Sequence, residues 1–279
     1  MGSDVRANYN RDGFAVAEGF FDAARVNSML AEIDRIIARC TGSEGHLPDN
    51  SLTLSDRLEK EDYDALDYSN RVGFHFDEIR RDDGTTAIVP RSIINLFLSG
   101  GVFHDLPFDP RLLDLIQEVT GPEIRFFNSR CFLKPPGGLG TKWHRDIEFF
   151  DCEPNPIINC IVVLEEMSRD NGGLKVVPGS HWSQRRGKLD LKQEFCITSQ
   201  DPFCSVPGEV YVMCPAGSVI LLDHFCLHGS ETNHSDQSRR ILSLGFAGPL
   251  VKTLAGEFVA NVLARGKRKS GEIAKEGQP

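Results

Sequence analysis

From Glu123 onward the chain is written in short β-forming runs cut by tight-turn residues, and this texture restricts its fold more than any other feature. The runs lie near 123–134, 143–149, 157–165, 174–177, 209–213, 218–222 and 241–246. Between them stand Pro135-Pro136-Gly137-Gly138, Asn171-Gly172-Gly173, Pro178-Gly179-Ser180 and Pro215-Ala216-Gly217. Gly and Pro hold turn backbone that a strand cannot continue. Many short strands punctuated in this way predict a β-sandwich or barrel.

The first half reads differently. Phe14 to Ala17 is a short strand after the turn at Arg11-Asp12-Gly13. Asp22 to about Cys40 is an amphipathic helix, its apolar residues Val26, Met29, Leu30, Ile33, Ile36 and Ile37 recurring at three and four positions. Asp22 is placed to cap its start and Gly42 to end it. Residues 42–90 are acidic and weakly patterned, the composition of a lid, a binding loop or plain surface. Ser92–Ser99 and Arg111–Val119 read as two short helices, and Lys252–Ala264 as a last one. The basic stretch Arg265-Gly266-Lys267-Arg268-Lys269 reads as a solvated tail. The expected layout is one domain over 1–279: a helical scaffold and possible lid over 1–122, a β core over about 123–250, and a terminal helix and tail over 251–279.

A chain of 279 residues can bury a full core without disulfide or metal staples. Its formal net charge of -9 disfavours a nucleic-acid backbone or an anionic membrane as partner. No apolar run reaches spanning length, and no secretory leader is visible, so the expectation is a cytoplasmic protein, monomeric or homodimeric. The eight cysteines form no C-x-x-C pair and read as buried thiols of a reducing compartment.

Within the β half, Trp143-His144-Arg145-Asp146 carries the chemistry. Positions i and i+2 of a strand share a face, which sets the His144 imidazole beside the Asp146 carboxylate. A second His with such a pair completes the facial triad of non-haem Fe(II) oxygenases, with positions left open for O2 and a co-substrate. His228 follows the apolar run Val219-Ile220-Leu221-Leu222 and a polar turn, which favours it. His181, His224 and His234 are also available, and spacing alone does not choose among them. Arg239, eleven residues after His228 and leading a core run, needs an anionic partner if buried. Its planar fork suits a carboxylate, such as the distal one of a 2-oxo acid. A structural ion pair is the alternative, and Arg240 is placed to share either role.

Taken together, His144, Asp146, His228-Gly229-Ser230 and Arg239 resemble the phytanoyl-CoA dioxygenase family of Fe(II)/2-oxoglutarate oxygenases. Lys134-Pro135-Pro136, Asn171-Gly172-Gly173-Leu174 and Val177-Pro178-Gly179-Ser180-His181 extend the resemblance across about 124–246. It implies a double-stranded β-helix, a cupin-like jelly roll, with flanking helices. It implies an iron triad of His144, Asp146 and His228, with 2-oxoglutarate chelating the metal and its distal carboxylate on Arg239 and Ser230. Asn128 or Arg130 would steady the other end, with Arg91 a further candidate. The implied chemistry is decarboxylation to succinate and CO2 coupled to oxidation of a substrate C–H bond by O2. Halogenating relatives replace the carboxylate, so Asp146 implies hydroxylation. The strand Ile158-Asn159-Cys160-Ile161-Val162 departs from the family, which often places an aromatic or hydroxyl residue against the co-substrate there.

The expected substrate is a small molecule of specialised metabolism. Glu148, Asp151 and Glu153 beside the iron pair suggest a cationic or amine-bearing one. An acyl-CoA 2-hydroxylase is the alternative within the family. A jelly-roll protein that holds a metal without turnover is the alternative outside it.

Overall fold

The computed structural model describes residues 2–41, 51–54, 72–80, 83–148, 157–182, 204–248 and 262–266. Helix α1 (Gly2–Asp12), strand β1 (Phe14–Ala17) and helix α2 (Ala23–Thr41) open the chain. Strands β2 (Ser51–Leu54), β3 (Gly73–Arg80) and β4 (Thr86–Ile94) follow. Then come the short helix α3 (Val102–Asp105) and α4 (Pro110–Thr120). The β half contains β5 (Ile124–Lys134), β6 (Thr141–His144), β7 (Ile157–Val163), β8 (Leu174–Val176), β9 (Val210–Tyr211), β10 (Val219–Asp223), β11 (His228–Ser230), β12 (Arg239–Ala247) and β13 (Val262–Arg265).

Two sheets face each other as a jelly roll. The larger runs β1-β10-β7-β12-β5-β4-β3-β2, with β13 also paired to β5; the smaller runs β6-β11-β8-β9. Alternation along the strands sorts side chains into two cores. On the outer face of the large sheet, Phe126, Cys131, Leu133, Cys160, Val162, Leu221, Leu242 and Leu244 pack against Val26, Met29 and Ile33 of α2 and Leu112 and Ile116 of α4. Each fully buried side chain of this size is worth roughly 2 kcal/mol. Between the sheets lie Ile161, Val163, Ile220, Leu222 and Ile241 of the large sheet and Leu174 and Val176 of the small one, with Phe132 against them.

Local chemistry sets the helix starts. The Asp22 carboxylate accepts from the Arg25 backbone N–H at 2.8 Å, as its capping position predicts. Asp109 does the same for Arg111 at 2.9 Å, with Pro110 supplying the first-turn backbone of α4. Of the described cysteines, Cys131, Cys160, Cys214 and Cys226 are buried free thiols and Cys204 is half-buried. No described helix is long and apolar enough to cross a membrane.

Several expectations are corrected. Helix α1 was not anticipated; Tyr9 anchors it by donating to Asp223 at 3.2 Å. The stretch read as weakly patterned contains β3 and most of β4, an antiparallel pair that extends the large sheet beyond β5. The first 122 residues are therefore not only helical scaffold, because β1, β3 and β4 belong to the main sheet. Ser92–Ile94 ends β4, and only Leu96–Ser99 turns as a 3-10 helix. Residues 262–265 form a strand rather than the end of a helix, and Arg265 is pinned to α4 by Asp114 at 2.7 Å and Gln117 at 2.8 Å. Gly42, the rest of the expected last helix and the basic residues 267–269 lie outside the described residues.

Candidate metal centre and co-substrate pocket

His144 is the last residue of β6, and Asp146 opens a 3-10 turn (Asp146–Glu148). The pair converges because the chain turns, not because a strand continues to 149. His228 opens β11 and pairs in register with His144 on one side and Val176 on the other, which turns all three toward the space between the sheets. The imidazole centroids are 4.2 Å apart. Asp146 Oδ1 lies 3.6 Å from His144 Nε2 and 3.5 Å from His228 Nε2.

The histidine tautomers follow from their partners. Nδ1 of His144 meets the Lys142 carbonyl at 2.8 Å, and Nδ1 of His228 meets the Cys226 carbonyl at 2.9 Å. A carbonyl only accepts, so both Nδ1 atoms carry the proton and both Nε2 atoms can ligate. Burial alone would raise the Asp146 carboxyl; the facing imidazoles of His228 and His144 reverse this and hold it well below the usual carboxylate range. Its second oxygen, Oδ2, accepts from Asn159 Nδ2 at 3.0 Å. The three ligand atoms, all within 4.8 Å of one another, form a group that could hold a metal ion. This is the only such His/Cys/Asp/Glu group among the described residues.

The competing histidines are placed elsewhere. His224 Nδ1 bonds the Ile157 carbonyl at 2.8 Å, and His181 Nε2 meets the Asn10 carbonyl at 3.2 Å. The His234 backbone N–H is held by Asp170.

Beside the triad is a buried cationic pocket. Arg239 of β12 pairs in register with Lys134 of β5. Arg239 Nη2 donates to the Gly172 carbonyl at 2.9 Å, while its buried Nε has no partner among the described residues. Burial lowers its guanidinium to about 10. Lys134 Nζ donates to Ser230 Oγ at 2.8 Å, to the Glu231 carbonyl at 2.6 Å and to the Gly172 carbonyl at 3.1 Å. Burial first, then the Arg239 and Arg91 guanidinium groups, holds its ammonium well below the ordinary lysine range. Two buried cations on neutral oxygens, with no described carboxylate bonded to either, are the arrangement an anionic ligand completes. Sequence reasoning found Arg239 and Ser230 but cited Lys134 only as part of a motif.

The other candidates sort by register. Arg240 faces the helix side and bridges Asp34 at 2.6 Å and Glu165 at 2.7 Å, a structural ion pair. Arg91 is engaged by Asp77 at 3.0 Å and by the Gly140 carbonyl at 3.2 Å. Arg130 pairs with Ser243 and lies 5.4 Å over the Phe132 ring, and Asn128 pairs with Gly245. Arg130 and Asn128 alternate with Phe132 along β5 and so share its inner face.

The family model for phytanoyl-CoA dioxygenase (PhyH) matches residues 9–241. The chain belongs to the phytanoyl-CoA dioxygenase family. Among curated members, it is 27% identical over 256 residues to a probable alpha-ketoglutarate-dependent hypophosphite dioxygenase of Stutzerimonas stutzeri, covering 88% of this chain and 79% of that one. It is 26% identical over 260 residues to the ectoine dioxygenase of Bordetella bronchiseptica, covering 86% and 73%. Its fold matches the epimerase SnoN, solved with Fe3+, alpha ketoglutarate and nogalamycin RO, at a TM-score of 0.59 and 20% identity over 89% of this chain and 84% of that one. This member of the phytanoyl-CoA dioxygenase family is accordingly a 2-oxoglutarate-dependent dioxygenase that uses iron and O2.

Proposed function

We propose that His144, Asp146 and His228 hold Fe(II), and that Arg239, Lys134 and Ser230 hold the distal carboxylate of 2-oxoglutarate. The chain would act as one oxygenase domain that hydroxylates a C–H bond of a small molecule in specialised metabolism. The observation that carries this reading is the pairing of an Nε2/Nε2/Oδ1 cluster with a buried, carboxylate-seeking Arg239 between the same two sheets. When bound, iron with 2-oxoglutarate and O2 supplies an oxidant strong enough for an unactivated C–H bond, with release of succinate and CO2. The chain's own share is to fix the imidazole tautomers, keep Asp146 ionised and seat the anion. Apolar Ile161, Ile241 and Phe132 on the intervening wall limit water.

The relatives' names, hypophosphite and ectoine dioxygenase, fit small-molecule substrates, and the nogalamycin RO bound by SnoN fits specialised metabolism. A cationic or amine-bearing substrate was expected from Glu148, Asp151 and Glu153; Asp151 and Glu153 lie outside the described residues. The inner wall that is described carries Arg130, which favours an anionic group on that side.

Anaerobic protein with Fe(II) and 2-oxoglutarate should show a weak visible charge-transfer band that is absent from Asp146→Ala. In air, succinate release should depend on Asp146 and Arg239. Full succinate turnover by Asp146→Ala would sink the assignment. Pairing amines with matched acids in a screen for stimulated succinate release reads the substrate charge directly.

A further inference from the structure

Strand β7 is apolar except at one position. Asn159 stands among Ile157, Ile158, Cys160, Ile161, Val162 and Val163, all of them buried or nearly so, in the middle of the large sheet. Asn is a poor strand former, and a polar group here must find partners or cost stability. In register it opposes Leu222 on β10 and Gly245 on β12. Leu222 packs between the sheets, so Asn159 faces the metal-centre side.

Its two ends are committed. Asn159 Nδ2 donates to Asp146 Oδ2 at 3.0 Å, and Asn159 Oδ1 accepts from Ser243 Oγ at 2.7 Å. An ionised carboxylate only accepts, so the amide must turn its NH2 to Asp146. The carbonyl end then faces Ser243, whose hydroxyl is left to donate. A reversed amide would set two acceptors against each other. The Ser243–Asn159–Asp146 chain therefore has one low-energy polarity.

We propose that Asn159, oriented by Ser243, is a positioning residue that makes Asp146 a one-oxygen ligand. This rests on the reading of His144, Asp146 and His228 as the iron site. With Oδ2 held back by Asn159, only Oδ1 stands between the two Nε2 atoms, at 3.6 and 3.5 Å. A carboxylate free to rotate would present both oxygens and fill a position that the co-substrate or O2 needs. Asn159 thus keeps that position open by acting through Asp146.

The test uses Co(II) as the probe metal, with affinity measured by calorimetry and the metal's bound waters counted by water-proton relaxation on the Mn(II) form. Asn159→Leu keeps size and removes the donor. It should weaken Co(II) binding about ten- to hundredfold and lower the number of exchangeable waters on Mn(II). Ser243→Ala should move both readouts in the same direction by less, and Ser243→Thr, which keeps the hydroxyl, should match the parent. A merely structural role would lower the melting temperature without changing the water count. Parent-like affinity and water count in Asn159→Leu would overturn the inference. Should that variant fail to fold, the Ser243→Ala and Ser243→Thr pair decides, since Ser243 touches Asn159 and not Asp146 in this chain of contacts; parent-like behaviour of both would overturn it. Asp146→Ala separates the two levels. If the parent loses no Co(II) affinity in Asp146→Ala, the iron-site reading itself fails; if it does, and Asn159→Leu changes nothing, only the positioning role fails.

Discussion

Replacing Lys134 with Met should separate the stability of the free protein from its affinity for 2-oxoglutarate. Lys134 Nζ spends its three protons on Ser230 Oγ, the Glu231 carbonyl and the Gly172 carbonyl, while Arg239 shares that last acceptor. Burial first, and then the facing Arg239 and Arg91 cations, hold the lysine below its ordinary range when no anion is present. An incoming carboxylate relieves that repulsion and gains a charge-assisted hydrogen bond worth about 1.5–3 kcal/mol. Met keeps the stem and drops the charge, so 2-oxoglutarate should bind about ten- to hundredfold more weakly. The metal-free, ligand-free protein should lose little, because the lost hydrogen bonds are offset by the lost repulsion. There is a pH signature as well. An anion raises the lysine's affinity for its proton, so 2-oxoglutarate affinity should fall as pH rises through the depressed lysine range. Anaerobic calorimetry of 2-oxoglutarate with the Co(II) protein over a pH series measures both. Equal affinities for parent and Lys134→Met would refute the reasoning.

Two other perturbations follow from the same structure. His75 is buried against Ser92 and pushed down to about 2 by burial and the Arg130 and Arg91 charges; its unfolded value is near 6.5. Between those values the unfolded chain binds the extra proton, so its contribution is complete above pH 6.5 and is lost on acidification. The loss is about 1.4 kcal/mol per pH unit, and urea unfolding at pH 7 and pH 5.5 should show a correspondingly smaller difference in His75→Gln. Gly172 has φ +68, and a Cβ there would lie 2.5 Å from the Glu231 carbonyl and 2.8 Å from Lys134 Cδ. Gly172→Ala should cost about 1–2 kcal/mol from backbone alone and weaken 2-oxoglutarate binding, readable as a lower melting temperature and a higher KM for 2-oxoglutarate; an unchanged KM would detach Gly172 from the pocket.

What could be read from sequence, and what could not, divides along physical lines. The turn-punctuated second half announced its strands, because Pro and Gly at the ends of apolar runs leave few options. His144 and Asp146 were legible as neighbours, though for the wrong local reason: the chain leaves β6 at His144 and turns. β3 was missed although Gly73-Phe74-His75-Phe76-Asp77 carries the alternation of a strand, because it lies inside a long acidic stretch. Its His75 and Asp77 point to the buried inner face. Ser92-Ile93-Ile94-Asn95-Leu96 was read as helix because a short apolar run carries no period of its own. Asn159 left a signal that went unused: an amide in the middle of an apolar strand must be paying for a partner. Lys134's role was invisible, since nothing local marks a lysine as buried beside an arginine that lies far along the chain on the neighbouring strand.

The order in which strands pair has a consequence for how the protein is made. Phe14 of β1 pairs with Leu222 of β10, and Ile124 of β5 pairs with Arg265 of β13. His144 pairs with His228, and Lys134 with Arg239. On a ribosome, the early strands therefore emerge long before their partners and wait with unpaired edges. Neither the metal centre nor the anion pocket has any partial form that a half-made chain could display. Such distant pairings make folding slow, and the centre cannot gather a metal until nearly all the described strands are in place.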